Sequence, residues 1–333
     1  MDFLAENHSM YPRVGESDED LRLRRAHHRF DQGEIDESEL RRIEDDYVEQ
    51  VIREQQQAGL DVVTDGMIRW YDHISHLAEN IAGAEVAGLV RYFDTNYLVR
   101  EARITDHIEW RSPLTVSEFE FAHSVSDCPV KAVLTGPLTL ARHSILDDSP
   151  YSNERSIAED YASVLRQEVR ALSEAGMTEL QIEEPSLLQS HSDAEWALSL
   201  IDEVIGNGTG NNVRLATYFG DANPIYKQLQ KSDVDALLLD FTYSSNLADT
   251  IRDQGSTKAI GIGILNGRNT KLSDIDDTAE KIRDLLDALG EDRHFVSFSC
   301  SIDYLPRDRA RRKLEQLATI RDRVSTLEGA VQA

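Results

Sequence analysis

The sequence is poor in cysteine and in lysine, and each shortage narrows the kinds of protein that it can be. Two cysteines, Cys128 and Cys300, are too few for a disulfide framework in a chain of 333 residues. We therefore predict a reducing, cytoplasmic setting. Only seven of the 35 basic residues are lysines, so arginine carries most of the positive charge.

Long apolar runs are missing as well. No window approaches the roughly 20 consecutive apolar residues that a membrane-spanning helix needs. The stretch Met1-Asp-Phe-Leu-Ala-Glu lacks the basic and apolar regions of a secretory signal. No glycine-rich dinucleotide fingerprint and no Walker loop follows an apolar run. These absences predict a soluble protein without a membrane partner, and they count against a nucleotide-binding open sheet.

Acidic residues, by contrast, are abundant along the whole chain. The 61 aspartates and glutamates outnumber the basic residues and give a formal net charge of −26. Such a field repels nucleic acid and anionic membranes, so neither is expected as a partner. We interpret the acidic, arginine-biased composition as halophilic, because molar salt screens the self-repulsion of the surface.

Short apolar runs alternate with helical patterns. The runs predict eight strands, near residues 8, 61, 131, 179, 213, 236, 258 and 295. Eight strands alternating with helices predict an α/β fold, namely a (β/α)8 TIM-type barrel that forms a single domain over residues 1–333. An aromatic-rich segment near residues 67–130 interrupts the alternation and is predicted to be an insertion over one face. A doubly wound open sheet is the alternative.

One predicted strand, Glu179-Leu-Gln-Ile-Glu-Glu-Pro185, ends in two carboxylates and a proline. Successive side chains of a strand point to opposite faces, so Gln181 and Glu183 share one face. Polar side chains also follow other strands: Asp65, Thr135, Thr217, Asp240, Asn266 with Arg268, and Cys300. Because the carboxyl ends of barrel strands build the active site, these are candidate site residues. Capping of the loops is the simpler alternative at each position.

Several blocks in a fixed order resemble the cobalamin-independent methionine synthase family, and more closely the N-terminal of its two barrels. The resemblance covers nearly the whole chain. The blocks are Tyr11-Pro-Arg-Val-Gly15, Gln57-Ala-Gly-Leu-Asp61, Trp70-Tyr-Asp-His73, Phe93-Asp-Thr-Asn-Tyr97, Leu134-Thr-Gly-Pro-Leu138, Gln181-Ile-Glu-Glu-Pro185, Thr217-Tyr-Phe219, Leu265-Asn-Gly-Arg-Asn269 and Ser299-Cys-Ser301.

The resemblance implies a particular zinc chemistry, in which His, Cys, Glu and Cys hold the metal that activates the homocysteine thiol. These four positions fall on Thr217, Phe219, Asp240 and Cys300. Only the last two offer suitable atoms, so we predict no zinc on this chain. The carboxylate that grips the substrate amino group falls on Glu183. Glu183, Asp240 and Cys300 are therefore the predicted catalytic residues.

A methyltetrahydrofolate co-substrate with a polyglutamate tail is also implied, and such a tail requires arginine or lysine. Arg13, Arg24 and Arg25 are predicted to bind it, although salt bridges to the neighbouring acidic residues are an equal alternative. The further predicted substrate-binding residues are Asp65, Trp70, Asp72, His73, Thr217, Asn266 and Arg268.

Together these features predict an S-methyltransferase that acts in methionine biosynthesis. It would transfer a methyl group from a methyltetrahydrofolate-type donor to homocysteine and would need a separate, C-terminal-like barrel chain that carries the zinc. Two alternatives stay open. One is a non-catalytic folate-binding or scaffold partner, and the other is a stand-alone methyltransferase that uses another donor.

Overall fold

A computed structural model describes residues 3–15, 17–206, 210–290 and 292–331, with side chains as far as residue 327. Its strands are β1 (Leu4–Ala5), β2 (Ala82–Arg91), β3 (Leu98–Glu109), β4 (Lys131–Thr135), β5 (Ser144–Ile145), β6 (Glu179–Glu183), β7 (Asn212–Thr217), β8 (Ala236–Asp240), β9 (Ala259–Leu265) and β10 (Phe295–Phe298).

Seven of these strands form one parallel sheet in the order β1-β10-β9-β8-β7-β6-β4. The gap between β1 and β4 is filled by the segment at residues 62 and 63. Val62 forms a parallel bridge to Glu6, and Val63 forms one to Val130. The backbone N–H of Lys131 donates to the carbonyl of Val63 at 2.8 Å. This segment takes the eighth strand position of the ring, and the predicted (β/α)8 architecture is confirmed.

The helices cover the outside of the ring. They are α1 (Arg22–Asp31), α2 (Glu37–Gln57), α3 (Ser75–Asn80), α4 (Val116–Val125), α5 (Pro137–Arg142), α6 (Glu154–Glu174), α7 (Ala194–Ile205), α8 (Tyr226–Leu229), α9 (Leu247–Gln254), α10 (Ile275–Leu286) and α11 (Arg307–Val331). Short 3-10 helices lie at Pro185–Gln189, His191–Asp193 and Asn223–Ile225. No helix in the described ranges is long and apolar enough to cross a membrane.

Local sequence explains where the long helices begin. Asp36, Asn153 and Asp274 precede α2, α6 and α10, and each side chain accepts a hydrogen bond from the backbone N–H three residues later. Such caps satisfy amide groups that have no partner within the helix. The apolar stripe that the sequence predicts between residues 157 and 172 is buried along α6. The helix α6 thus turns an apolar face toward the protein core.

The insertion is more regular than the sequence suggests. β2 and β3 form an antiparallel hairpin, and β5 adds to β3 in parallel. The turn of the hairpin reaches the mouth of the barrel, where the ring of Tyr92 stacks on His73 with centroids 5.4 Å apart. The alternation signal is weak because most side chains of β2 are only partly buried. The hairpin therefore covers the carboxyl ends of the strands.

Candidate active site

Glu183 lies at the carboxyl end of β6 and is the centre of a buried polar cluster. Its Oε2 accepts a hydrogen bond from the Tyr218 hydroxyl at 2.8 Å, and its Oε1 accepts one from Nε2 of Gln181 at 3.0 Å. Nδ1 of His8 lies 3.2 Å from Oε1, and Nδ1 of His73 lies 3.4 Å from Oε2. All five side chains are buried. The carboxylate is thus enclosed by four polar neighbours.

The electrostatics of this cluster favour an ionised Glu183. Burial alone would raise the pKa of its carboxyl group, but the hydrogen bond and the charge of His8, together with the charge of His73, lower that pKa below its usual range. Burial lowers the pKa of the His8 imidazole, and the hydrogen bond and the charge of Glu183 oppose that shift. Glu183 is therefore an acceptor of hydrogen bonds rather than a proton donor.

A column of ion pairs continues from this cluster into the barrel interior. Nζ of Lys131 donates to Oε1 of Gln181 at 2.8 Å and lies 3.4 Å from Oε2 of Glu6. Arg214 bridges Glu6 and Glu179, with N–O distances of 2.6 Å to each. Burial lowers the pKa of Lys131 to about 8. Each charged side chain of this column lies beside one of opposite charge, and these ion pairs hold the strands in register.

Aromatic rings fill the mouth above β7. Five of them surround the ring of Phe219 at centroid distances of 4.7 to 6.5 Å: Tyr92, Phe93, Tyr218, Tyr243 and Tyr304. The guanidinium of Arg268 lies 5.4 Å from the same ring. The backbone of Phe219 has a φ of 62°, in the left-handed region that non-glycine residues rarely adopt. Phe219 is therefore a packing residue at the centre of the mouth.

The four positions that would correspond to zinc ligands do not suit that metal. Phe219 has no donor atom, and the Thr217 hydroxyl is buried without a hydrogen-bond partner. Oδ1 of Asp240 accepts hydrogen bonds from the backbone and the side chain of Thr242 at 2.8 and 2.6 Å. Burial raises the pKa of the Cys300 thiol well above its usual range, which disfavours the thiolate that zinc binds.

More broadly, the described ranges of the chain contain no group of three or more His, Cys, Asp and Glu side chains that could hold a metal ion. Tetrahedral zinc needs four N, S or O donors, and here two of the four positions lack a usable one. The chemistry of the residues present therefore does not fit zinc. No catalytic step on this chain is assigned to a metal.

Two predicted substrate-binding residues, Asp72 and His73, lie where the insertion meets the barrel. The Asp72 carboxylate accepts hydrogen bonds from the backbone N–H groups of Ile74 and Ser75 at 2.9 and 2.7 Å, at the start of α3. His73 faces Glu183, and its backbone carbonyl accepts a hydrogen bond from the Thr135 hydroxyl at 2.6 Å. Asp72 thus contacts protein groups, whereas His73 belongs to the Glu183 cluster.

Trp70 and Asp65 follow the segment at residues 62 and 63 and lie beside α4. The indole N–H of Trp70 donates to Glu118 at 2.8 Å, and its ring stacks on His76 at 4.5 Å. Both Trp70 and Asp65 line a small cavity of about 20 Å³. Burial raises the pKa of Asp65 to about 6. Neither residue is among the groups that contact Glu183.

Asn266 and Arg268 follow β9 and organise the loop there. The Asn266 side chain accepts a hydrogen bond from the backbone N–H of Arg268 at 2.8 Å, and its carbonyl accepts one from Lys313 at 2.6 Å. Arg268 donates to the Tyr243 hydroxyl at 2.8 Å. Arg268 thus borders the aromatic mouth beside Phe219, while Asn266 supports the turn.

A larger cavity of about 380 Å³ opens beside the mouth and brings two of the three predicted tail-binding arginines together. We call it the Arg13–Asp303 cavity. Its lining is Pro12, Arg13, Val14, Leu23, Arg24, His27, Tyr71, Tyr97, Asp303 and Leu305. Arg25 lies outside it and forms an ion pair with Asp18 at 2.6 Å. A cavity of this volume is within the range of small-molecule sites.

Three residues at the mouth were not among the sequence candidates: His8, Tyr218 and Asp303. His8 follows β1 in the polar run Glu6-Asn-His-Ser9, so the rule of polar strand ends would have indicated it. Tyr218 lies between Thr217, a predicted substrate-binding residue, and Phe219, a position that the resemblance assigns to zinc, and no strand-end rule marks Tyr218 itself. Asp303 comes after Cys300 in a loop, where no periodicity marks it. Only the folded loop brings its carboxylate to the cavity.

Comparisons with known proteins agree with this geometry. Residues 14–322 match the family described as "Cobalamin-independent synthase, Catalytic domain". A methionine synthase of Sulfolobus acidocaldarius is 31% identical over 305 residues, which are 91% of this chain and 87% of that protein. A methionine synthase of Sulfurisphaera tokodaii is likewise 31% identical, over 91% of this chain and 87% of its own length.

A solved structure of similar fold is the B12-independent methionine synthase from Shewanella sp. W3-18-1 in complex with selenomethionine. It has a TM-score of 0.81 at 18% identity and covers 99% of this chain and 100% of its own. The matches confirm the predicted family and the enzyme class, an S-methyltransferase. The matched family description is that of the catalytic domain, and the nearer likeness to an N-terminal barrel stays a prediction. The chain belongs to the cobalamin-independent methionine synthase family.

Proposed function

We propose that this chain acts in the transfer of a methyl group from a methyltetrahydrofolate-type donor to homocysteine, as a component that needs a separate zinc-bearing barrel chain. One observation carries the proposal. A cavity with arginines lies at the mouth of a methionine-synthase-type barrel whose four metal positions are Thr217, Phe219, Asp240 and Cys300. The chain thus has a place for an anionic substrate but lacks the donors that would hold zinc.

The arginines of the cavity support an anionic ligand. Arg24 is exposed at the rim, and no described residue forms a hydrogen bond or an ion pair with it. Other exposed arginines, such as Arg42 and Arg91, also have no acidic partner among the described residues, but Arg24 differs from them because it lines this cavity. Carboxylates of a glutamate tail would provide the charge-assisted hydrogen bonds that Arg24 lacks. The neighbouring Tyr71 ring offers an apolar surface for the rest of such a ligand.

The need for a second chain follows from thiol chemistry. Methyl transfer to homocysteine requires its thiolate, because the thiol is a poor nucleophile. Thr217, Phe219, Asp240 and Cys300 do not form a cluster of donors that would lower the pKa of a substrate thiol. We therefore assign thiol activation to the separate barrel and assign substrate binding to this chain.

The test measures methionine formation from homocysteine and methyltetrahydrofolate triglutamate. The assays use this chain, a C-terminal-like zinc-bearing barrel chain, and their mixture. We expect no stoichiometric zinc and no turnover with this chain alone, and higher turnover in the mixture than with the second chain alone. One equivalent of zinc together with full activity of the isolated chain would overturn the proposal and would support the stand-alone alternative.

A matched pair of variants tests the tail site within the same assay. Arg24→Gln removes the unpaired arginine at the rim and should raise the KM for the triglutamate donor several-fold, since one charge-assisted hydrogen bond is lost. Arg25→Gln removes the adjacent arginine that is already paired with Asp18, and its KM should be unchanged. Equal effects of the two substitutions would show that the cavity does not bind the tail.

A scaffold role is the second candidate, and the enclosure of Glu183 favours it. The carboxylate is 1% exposed and has four polar neighbours, so it offers little to a substrate. The variant Glu183→Ala separates the two functions when the chains are mixed. Lost turnover with intact association of the chains indicates participation in catalysis, whereas unchanged turnover indicates a scaffold.

A further inference from the structure

The Arg13–Asp303 cavity has opposite charges in its wall, although both belong to loops of the same mouth. Arg13 follows β1, and Asp303 follows β10, the strand that pairs with β1. Burial and the charge of Asp303 raise the pKa of the Tyr97 hydroxyl, and the charge of Arg13 opposes that shift, so Tyr97 lies near both groups. Burial lowers the pKa of His27 to about 4, so this wall residue is neutral at physiological pH. The cavity wall therefore contains a cation and an anion that form no ion pair with each other.

Arg13 keeps donors for a ligand. One N–H of its Nη1 donates to the Trp70 carbonyl at 2.9 Å, and Nη2 lies 3.0 Å from Nε2 of His27. Its Nε is buried and has no hydrogen-bond partner. No carboxylate of the described residues forms an ion pair with Arg13. A guanidinium has five N–H donors and cannot be deprotonated in a protein, so the second N–H of Nη1 and of Nη2 is left for a bound carboxylate, whereas the buried Nε is out of its reach.

Asp303 has the complementary shortage. Its Oδ1 accepts a hydrogen bond from the Ser301 hydroxyl at 2.7 Å. No lysine or arginine of the described residues pairs with it, and burial raises the pKa of its carboxyl group. A carboxylate without a cation in a partly enclosed site is costly. A bound ammonium group would offset that cost.

Glu183 does not fulfil the same role. Tyr218, Gln181 and His8 already surround it at hydrogen-bond distances, and it has no free surface toward the cavity. Asp303 is a carboxylate of the mouth that lines an open space. The distribution of free hydrogen-bonding groups thus differs from what the family resemblance implies for the amino-group acceptor.

We infer that the Arg13–Asp303 cavity binds an α-amino acid, with the ammonium group on Asp303 and the carboxylate group on Arg13. The inference rests on the proposed function, in which the methyl acceptor is an amino acid, and it replaces Glu183 by Asp303 as the specificity-determining carboxylate. The tail-binding arginine, Arg24, lies at the rim and remains available for the second substrate.

The test is calorimetric titration of the isolated chain with L-methionine and with 4-(methylthio)butanoate, which lacks the ammonium group. We expect the wild-type chain to bind L-methionine at least about tenfold more tightly, the value of one hydrogen bond between charged groups. Asp303→Asn should remove this preference by weakening L-methionine alone. Asp94→Asn, which removes an exposed carboxylate of the nearby hairpin turn outside the cavity lining, should keep it.

A second variant addresses the other end of the ligand. Arg13→Gln should weaken both L-methionine and 4-(methylthio)butanoate, because both carry the carboxylate, and should leave 3-(methylthio)propylamine unaffected. The inference is overturned if the wild-type chain binds the first two equally, or if Asp303→Asn weakens both to the same extent. Neither a methyl donor nor a second chain is present, so failure here is distinct from failure of the methyl-transfer assay.

Discussion

Glu6 and Asp303 are both carboxylates inside the fold, but they differ in their partners. Glu6 lies in the barrel interior between Arg214 and Lys131, at 2.6 and 3.4 Å. Asp303 lies in the mouth, accepts a hydrogen bond from Ser301 and has no lysine or arginine partner among the described residues. The interior charges satisfy one another, whereas those of the mouth are left for a ligand. In the inferred amino-acid site, it is thus a missing cationic partner, and not burial alone, that distinguishes the binding carboxylate.

The largest effect is expected when a charge is removed from the column of ion pairs in the barrel interior. Arg214→Met leaves Glu6 and Glu179 without their shared cation, so we expect the free energy of unfolding to fall by about 3–5 kcal/mol. Arg293→Met removes the other arginine that pairs with Glu179, but its side chain is 43% exposed, and its loss should cost about 1 kcal/mol or less. Urea unfolding of both variants checks the difference. Similar losses of unfolding free energy in the two variants would contradict the proposed role of the interior ion pairs.

Asp65, like Asp303, is a carboxylate without an ion-pair partner among the described residues, and the pH dependence of stability tests its environment. Burial raises its pKa to about 6, whereas in the unfolded chain the pKa is about 3.9. Between these values the folded protein holds a proton that the unfolded chain releases, so the free energy of unfolding falls as the pH rises from about 4 to about 6. Asp65→Asn lacks this titration. Its stability relative to wild type should therefore rise by roughly 2 kcal/mol across the window.

Denaturant unfolding at closely spaced pH values measures this difference. Asp94→Asn is the control, since it removes an exposed aspartate of the hairpin turn and should track the wild-type chain throughout. A constant difference between Asp65→Asn and wild type from pH 4 to pH 7 would show that Asp65 is not desolvated.

Ionic strength gives the smallest and most general comparison. The Debye length shortens from about 10 Å at 0.1 M salt to about 3 Å at 1 M, so salt screens exposed charges far more than buried pairs. We expect molar KCl to raise the melting temperature of this −26 chain by at least a few degrees. The deficit of Arg214→Met against wild type should stay the same. A melting temperature indifferent to salt would count against the halophilic interpretation.

The sequence predicted those parts of the fold in which apolar residues recur at a regular spacing. The strand that ends at Glu183 and the helix with buried residues Ile157 to Leu172 lie where the alternation and the apolar stripe predict them. The hairpin Ala82–Glu109 was not predicted as strands, because many of its side chains are exposed and no apolar alternation marks it. Strong periodic burial is thus what made an element predictable.

The candidate site was harder to predict for a different reason. Strand-end reasoning indicated Glu183, but its partners His8 and Tyr218 come from other strands, and only closure of the ring brings them together. Arg214 and Glu6 are far apart in the chain, and no local pattern links them. Likewise, the pairing of Arg25 with Asp18 and the unpaired state of Arg24 depend on which face of α1 each occupies. The single-domain prediction for residues 1–333 and the roles of the site residues remain predictions.

Closure of the ring has a consequence for the chain during its synthesis. The backbone N–H groups of Leu4 and Glu6 donate to the carbonyls of His294 and Val296. The strand at Leu4 and Ala5 thus lacks its neighbour on one side until His294 and Val296 have been synthesised. Until then an apolar strand edge stays open, which is a hazard for association between nascent chains. The net charge of −26 makes copies of the chain repel one another during that interval wherever salt does not screen the charges.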